Sequence, residues 1–383
     1  MNMEHQRGDD SSTGIDSTGV NSAGIDSAGA DTGARDSSTM TGSESVAWPP
    51  EAGDPYNATW TEIGDDLSGT ACPPDIADII LRTRLAFASG DMSRVPYWRM
   101  PEEVDAITDI PYIDDGVRGH LLDVYLPHDA VVRGGHSLPV FVDIHGGGFV
   151  YGYKELNRNF CVQLADRGFA VVSLNYRPAP QTDFIGQLRD IGAAFSWMDT
   201  HLVDYPVDAR KVFLTGDSAG GTLALYTAAI MGSDDMAHDY GVARAHTPVA
   251  GMALVSGLYD LAPYLGGRPS AGRRDARTVL DILGPMFFGG LSSIDNRHRF
   301  FDDIVSNVTL PPSLLITSSD DFLEAETLEL AACLSRAGRD MEVRDCRPDS
   351  GTTLGHVFSV CMSWLPESRR ILDDIRDFAY RGL

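Results

Sequence analysis

Gly216-Asp217-Ser218-Ala219-Gly220 is the one place in this chain where a serine stands in the spacing G-x-S-x-G. A serine hydroxyl can act as a nucleophile when a sharp turn presents it to a base, and such a turn needs small neighbours. Gly216, Ala219, Gly220 and Gly221 supply them. The turn would expose Ser218 beside a helix N-terminus, whose dipole favours developing negative charge. A plain strand–turn–helix with a capping serine shares the pattern. A second cluster is His145-Gly146-Gly147-Gly148-Phe149. Consecutive glycines let backbone N–H groups converge on one point. Acyl transfer needs such donors for a tetrahedral oxyanion, and the residue after the serine, Ala219, would add one more. The plainer reading is a flexible turn. A phosphate cradle is excluded, because neither G-x-G-x-x-G nor G-x-x-x-x-G-K-[ST] can be drawn through these glycines.

Both clusters must be positioned by regular elements. LPVFVDI, FAVVSLNY, KVFLTGD, PVAGMALVSG, PPSLLITSS and MEVRDC read as strands. Amphipathic segments lie between most of them, notably ELNRNFCVQLADRG, DFIGQLRDIGAAFSWMDTHL, AGGTLALYTAAIM and EAETLELAACLSRAG. PESRRILDDIRDFAYRG reads as a last helix and PPDIADIILRTRLAFASG as an early one. DAITDIPYIDDG and HLLDVYLP look like two strands around an Asp-Gly turn. Apolar strands alternating with helices predict an α/β fold, a mostly parallel sheet covered on both faces. The expected nucleophile and glycine loop then lie at the carboxyl ends of two strands, where open α/β sheets bind ligands. The stretch 258–301 breaks the alternation and is expected to be an insertion forming a cap.

HGGGF and GDSAG, 71 positions apart and each after a strand, are far more specific together than either alone. Over about residues 75–383 the chain resembles the hormone-sensitive-lipase-like carboxylesterases of the α/β-hydrolase fold. The resemblance implies a nucleophile, an acid and a histidine in that chain order. Ser218 is then the nucleophile. Of ten histidines only His356 lies beyond His298, in the loop TTLGHVFS, which makes it the base. Asp321-Phe322-Leu323-Glu324-Ala325-Glu326 resembles the family's D-P-L-x-D-E stretch, with Asp321 as the acid and Phe322 in place of proline. Asp320 is the alternative acid; whichever aspartate is not used is expected to cap a helix or face solvent. The N–H groups of Gly147, Gly148 and Ala219 form the implied oxyanion hole. Tyr176-Arg177-Pro178-Ala179-Pro180-Gln181 departs from the family's Y-R-L-A-P-E by losing its glutamate. No cofactor or metal is required, and the histidines form no HExxH spacing. Short- to medium-chain acyl esters are the substrates the resemblance implies. An amidase or peptidase on the same fold is the second reading, and a non-catalytic small-molecule binder the third.

Composition bounds the rest. The 383 residues carry 55 acidic and 30 basic side chains, a formal charge of −25, which argues against nucleic-acid partners and against docking on anionic lipid. Only Lys154 and Lys211 are lysines, which looks like compositional bias. Five scattered cysteines without a CxxC pair suggest reduced, mostly buried thiols, and a cytoplasmic protein is expected. Residues 1–54 hold ten acidic and two basic residues and no leucine or phenylalanine, so a disordered acidic tail is expected there. The acidic tail also leaves an interaction role open. The remainder, 55–383, is expected to be one catalytic domain, with cap elements near 56–100 and 258–301. Trp60, Phe87, Tyr97, Trp98, Phe287, Phe288, Phe300 and Phe301 are expected to pack that cap, some of them lining a pocket. A homo-oligomer is left open.

Overall fold

The computed structural model describes residues 63–67, 72–133, 137–266, 278–349 and 352–382. The expected tail over 1–54 and Trp60 lie outside them. Among the described residues eight strands form one sheet: β1 (Val104–Pro111), β2 (Leu121–Pro127), β3 (Leu138–Ile144), β4 (Ala170–Leu174), β5 (Val207–Asp217), β6 (Val249–Val255), β7 (Ser313–Ser318) and β8 (Met341–Cys346). Their spatial order is β1-β2-β4-β3-β5-β6-β7-β8. β1 pairs antiparallel with β2, and β2 antiparallel with β4; every other pairing is parallel. This is the mostly parallel sheet that the alternation of elements predicts, and the α/β-hydrolase arrangement that the resemblance implies.

The apolar strands divide their side chains between two cores, as the two-residue period of a strand requires. On β3, Val140, Val142 and Ile144 face one core and Phe141 the other. On β5, Val212 and Leu214 oppose Phe213 in the same way. The Phe141 side is covered by α2 (Arg158–Ala165) and α7 (Pro366–Arg381). Burial of Ile371, Leu372, Ile375 and Phe378 holds α7 there, each contributing roughly 1.5–3 kcal/mol. The other face carries α3 (Phe184–His201), α4 (Ala219–Gly232) and α6 (Glu324–Arg336). Nearly all of α4 is buried, which explains its lack of a polar face.

Above that second face lie α1 (Pro74–Met92) and α5 (Val279–Phe287), packed against each other. Arg84 of α1 is buried and donates to the carbonyls of Val150 (2.6 Å) and Ala179 (2.9 Å), and pairs with Asp66. Gln181, where the resembling family has glutamate, also donates to Asp66 (2.9 Å). Phe149, the last residue of HGGGF, is buried against Phe184, Phe287 and Phe288 at 5.5–5.8 Å. Phe288 is therefore packing, not lining. Phe87 and Trp98 are half-buried, and exposed Tyr97 rests on Trp364 at 5.2 Å. Cys161 and Cys333 are buried and Cys72, Cys346 and Cys361 half-buried, all as free thiols.

Candidate active site

β5 ends at Asp217 and α4 begins at Ala219, so the whole reversal falls on Ser218, at φ 52° and ψ −122°. A non-glycine residue there costs about 1–3 kcal/mol, repaid only if its surroundings fix it. Two glycines allow the geometry. A Cβ on Gly216 would lie 2.4 Å from the Gly220 carbonyl oxygen, and one on Gly220 would lie 1.9 Å from that of Ile144. The Ser218 N–H donates to the Val255 carbonyl (2.9 Å), which ties the turn to β6.

The loop after β3 sits alongside, because β3 and β5 are parallel neighbours with Ile144 opposite Gly216. Gly147 has φ 118°, and a Cβ there would fall 2.1 Å from the Tyr151 carbonyl oxygen. Its own carbonyl accepts from the N–H groups of Val150 (3.3 Å) and Tyr151 (3.0 Å), closing the loop on itself. Among the described residues, the N–H groups of Gly147, Gly148 and Ala219 donate to no backbone acceptor. His145 backs the loop: it stacks on Tyr176 at 4.3 Å, and Nδ1 lies 2.8 Å from the Gly146 carbonyl. A carbonyl can only accept, so Nδ1 carries the proton. Burial pushes the His145 imidazole down to about 4, so it stays neutral at pH 7.

His356 lies in the loop after β8, half-buried. Its Nε2 is 3.0 Å from Ser218 Oγ and its Nδ1 is 2.9 Å from Asp321 Oδ1. Asp321 follows β7 and also accepts from the Leu323 N–H (2.8 Å). Burial alone would push its carboxyl up, but the hydrogen bonds it accepts, from His356 first and from the Leu323 N–H among others, outweigh it and leave the group below its usual value. An ionised Asp321 only accepts, so Nδ1 carries the imidazole proton and Nε2 is left to accept from the Ser218 hydroxyl. The structure thus brings Ser218, His356 and Asp321 into one hydrogen-bonded row. Such a row can move a proton off the serine and hold the resulting imidazolium.

Asp320 is not in that row. It caps no helix; it is exposed, the other expected alternative, but it is also tied down. It accepts from the N–H groups of Leu354 (2.9 Å) and Gly355 (3.0 Å) and from the Ser318 hydroxyl (2.8 Å). It therefore pins the loop that carries His356. Other contributors escaped the motifs. Asp217, the variable position of GDSAG, accepts from the Gly146 N–H (3.0 Å) and from Asn157 (2.8 Å), joining the serine turn to the glycine loop. Asn157 also donates to buried Asp143 (3.2 Å). Burial, then the charge of Asp217, pushes Asp143 up to about 7. Glu326 accepts from the N–H groups of Tyr259 (2.9 Å) and Asp260 (2.7 Å) and so fixes the loop after β6. The acidic run after Asp321 was the available signal for Glu326; nothing marked Asn157. Among the described residues no group of three or more His, Cys, Asp or Glu side chains could hold a metal ion.

Comparison with known proteins places this site in context. The alpha/beta hydrolase fold family matches residues 141–350. The chain is 34 % identical over 246 residues to the ethyl acetate hydrolase of Pseudomonas putida, covering 62 % of this chain and 72 % of that one. It is 40 % identical over 214 residues to lipase 2 of Moraxella sp., covering 51 % and 49 %. Three curated relatives are matched over only 36 %, 49 % and 41 % of their own length. Among solved structures, esterase B of Lactobacillus rhamnosis superposes with a TM-score of 0.70 at 27 % identity, covering 81 % of this chain and 96 % of that one. The chain belongs to the alpha/beta hydrolase fold family and, within it, resembles the hormone-sensitive-lipase-like carboxylesterases.

Proposed function

We propose that this chain hydrolyses carboxylic esters through Ser218, His356 and Asp321. The observation that carries the reading is the row Ser218 Oγ–His356 Nε2 (3.0 Å) and His356 Nδ1–Asp321 Oδ1 (2.9 Å), set at the carboxyl edge of the sheet. Ser218 Oγ bonds to the ester carbonyl carbon as His356 takes its proton. The N–H groups of Gly147, Gly148 and Ala219 receive the oxyanion. The bond to the alcohol oxygen breaks, and His356 gives that oxygen the proton. Water, deprotonated by His356, then attacks the acyl-enzyme and releases the acid and free Ser218. α1 and α5 are the cap over this site, and short- to medium-chain acyl esters are its substrates. The name of the Pseudomonas relative, an ethyl acetate hydrolase, supports a short acyl group. The free thiols fit a reducing compartment, so the proposal includes a cytoplasmic place of action. Among the described residues no helix is long and apolar enough to cross a membrane.

A panel of p-nitrophenyl esters of increasing acyl length tests this, with Ser218→Ala as control. The variant should lose at least about 10⁴-fold in kcat/KM while keeping its melting temperature. Retained hydrolysis would refute the mechanism. A rate that keeps rising into long acyl chains would refute the substrate class.

A further inference from the structure

Phe322 immediately follows Asp321, at the position where the resembling stretch has proline. The structure describes all fifteen phenylalanines, and Phe322 alone among them is exposed, at 65 %. A lone exposed apolar side chain is ordinary. What sets this one apart is that its ring lies 4.4 Å from the His356 imidazole, at a 42° tilt. Nothing in the two cores needs it, so its apolar surface is available at the site itself.

The proton path fixes which part of an ester reaches that surface. His356 must protonate the departing alcohol oxygen, so that oxygen lies within hydrogen-bond reach of Nε2 when the bond breaks. The group attached to it extends over the surroundings of His356, whereas the acyl group stays bonded to Ser218. Resting on the proposed Ser218–His356–Asp321 chemistry, we propose that Phe322 is a specificity-determining residue that binds the alcohol portion of the ester and favours apolar, aryl-bearing alcohols.

The alcohol leaves during acylation, which kcat/KM reports, and is gone before deacylation begins. The test therefore compares kcat/KM for benzyl and methyl butyrate, which share an acyl group and have alcohols of similar basicity. Covering an apolar ring with an apolar group should be worth about tenfold. Phe322→Ala should lower the benzyl-to-methyl ratio by about that factor, and Phe322→Leu should restore part of it. Equal losses on both esters would make Phe322 a positioning residue for His356 and overturn the proposal; an unchanged ratio would overturn it too. Stoichiometric labelling of Ser218 by an alkyl phosphonate in each variant separates the two levels of failure. If the label goes on and the ratio does not move, Phe322 is wrong; if Ser218 never labels, the serine chemistry is wrong.

Discussion

Two adjacent aspartates, isosterically replaced, should fail in different ways. Asp321→Asn keeps the shape of the side chain but removes the charge facing His356 Nδ1 at 2.9 Å. The amide can present its N–H₂ to Nδ1, which favours the tautomer with the proton on Nε2, unable to accept from Ser218. The expected loss in kcat is about 10⁴-fold, or about 5 kcal/mol. Asp320→Asn acts at one remove. Its carboxylate takes three hydrogen bonds, from Leu354, Gly355 and Ser318, and the amide keeps an acceptor for some of them. Losing one bond to a charged acceptor costs about 1.5–3 kcal/mol of loop anchoring. A displacement of His356 follows, and misplacement by about 1 Å costs about 10²-fold. The two variants, assayed side by side on one p-nitrophenyl ester, should therefore differ by roughly 10²-fold in kcat. Melting temperature supplies the second axis, since Asp320→Asn should lose stability in proportion to the loop bonds it breaks. Equal losses in kcat, or a larger loss at Asp320, would refute the assignment of Asp321 as the acid.

Gly147→Ala should lower kcat/KM by about 10²–10³-fold, because its Cβ would meet the Tyr151 carbonyl at 2.1 Å and the donors beside it must move; near-normal kinetics would show that the loop supplies no oxyanion donor. Asp143→Asn should change how stability depends on pH. In the folded chain Asp143 is pushed from 3.8 to about 7, so the native state holds a proton that the unfolded chain has lost. Stability from this group is therefore present below about pH 4 and falls as pH rises to about 7, by at most about 4 kcal/mol. His145, pushed down to about 4, has the opposite slope over about pH 4–6.5, because there the unfolded chain binds the extra proton. Asp143→Asn removes this group's share of the falling branch and leaves the opposite slope of His145, so the variant should gain on the parent chain between pH 4 and 7 in chemical denaturation. Parallel curves would refute the buried-proton account.

Where the sequence was legible, the constraint was local. Gly216, Gly220 and Gly147 had to be glycine because a Cβ would collide with backbone a few residues or one strand away, and that requirement leaves a readable spacing. His356 was legible because chain order left one candidate. The choice between Asp320 and Asp321 was not, since it depends on which way the turn after β7 directs each side chain. Asp320 reaches Leu354 and Gly355, more than thirty positions on, and no local pattern records that. Lys154, which composition made look incidental, is buried with Nζ 2.8 Å from Asp123 and 2.7 Å from Glu155. α5 was hidden by Gly284 and Pro285 inside it. Its start was nonetheless written in the Thr278–Asp281 capping box, and Gly284 is needed because a Cβ there would crowd Tyr264 at 2.8 Å.

The proposed catalytic groups divide into two rigid halves with different supports. The serine turn and the glycine loop hang from neighbouring strands in fixed register, Ile144 opposite Gly216, and one carboxylate, Asp217, bridges them through the Gly146 N–H. The nucleophile and the oxyanion donors therefore cannot shift independently. His356 belongs to the other half, held by β7 through Asp321 and through Asp320, which accepts the Gly355 N–H (3.0 Å). β6 lies between β5 and β7 and bonds to both, so the two halves are separated by one packed strand. Electrostatic stabilisation of an oxyanion needs donors already in place before charge develops. The motif residues alone do not meet that need. It is met by two carboxylates that carry no part of the reaction, Asp217 inside the serine turn and Asp320 beside the acid, which accept the backbone N–H groups of Gly146, Leu354 and Gly355 and so anchor the loops on either side of the 3.0 Å contact between Ser218 and His356.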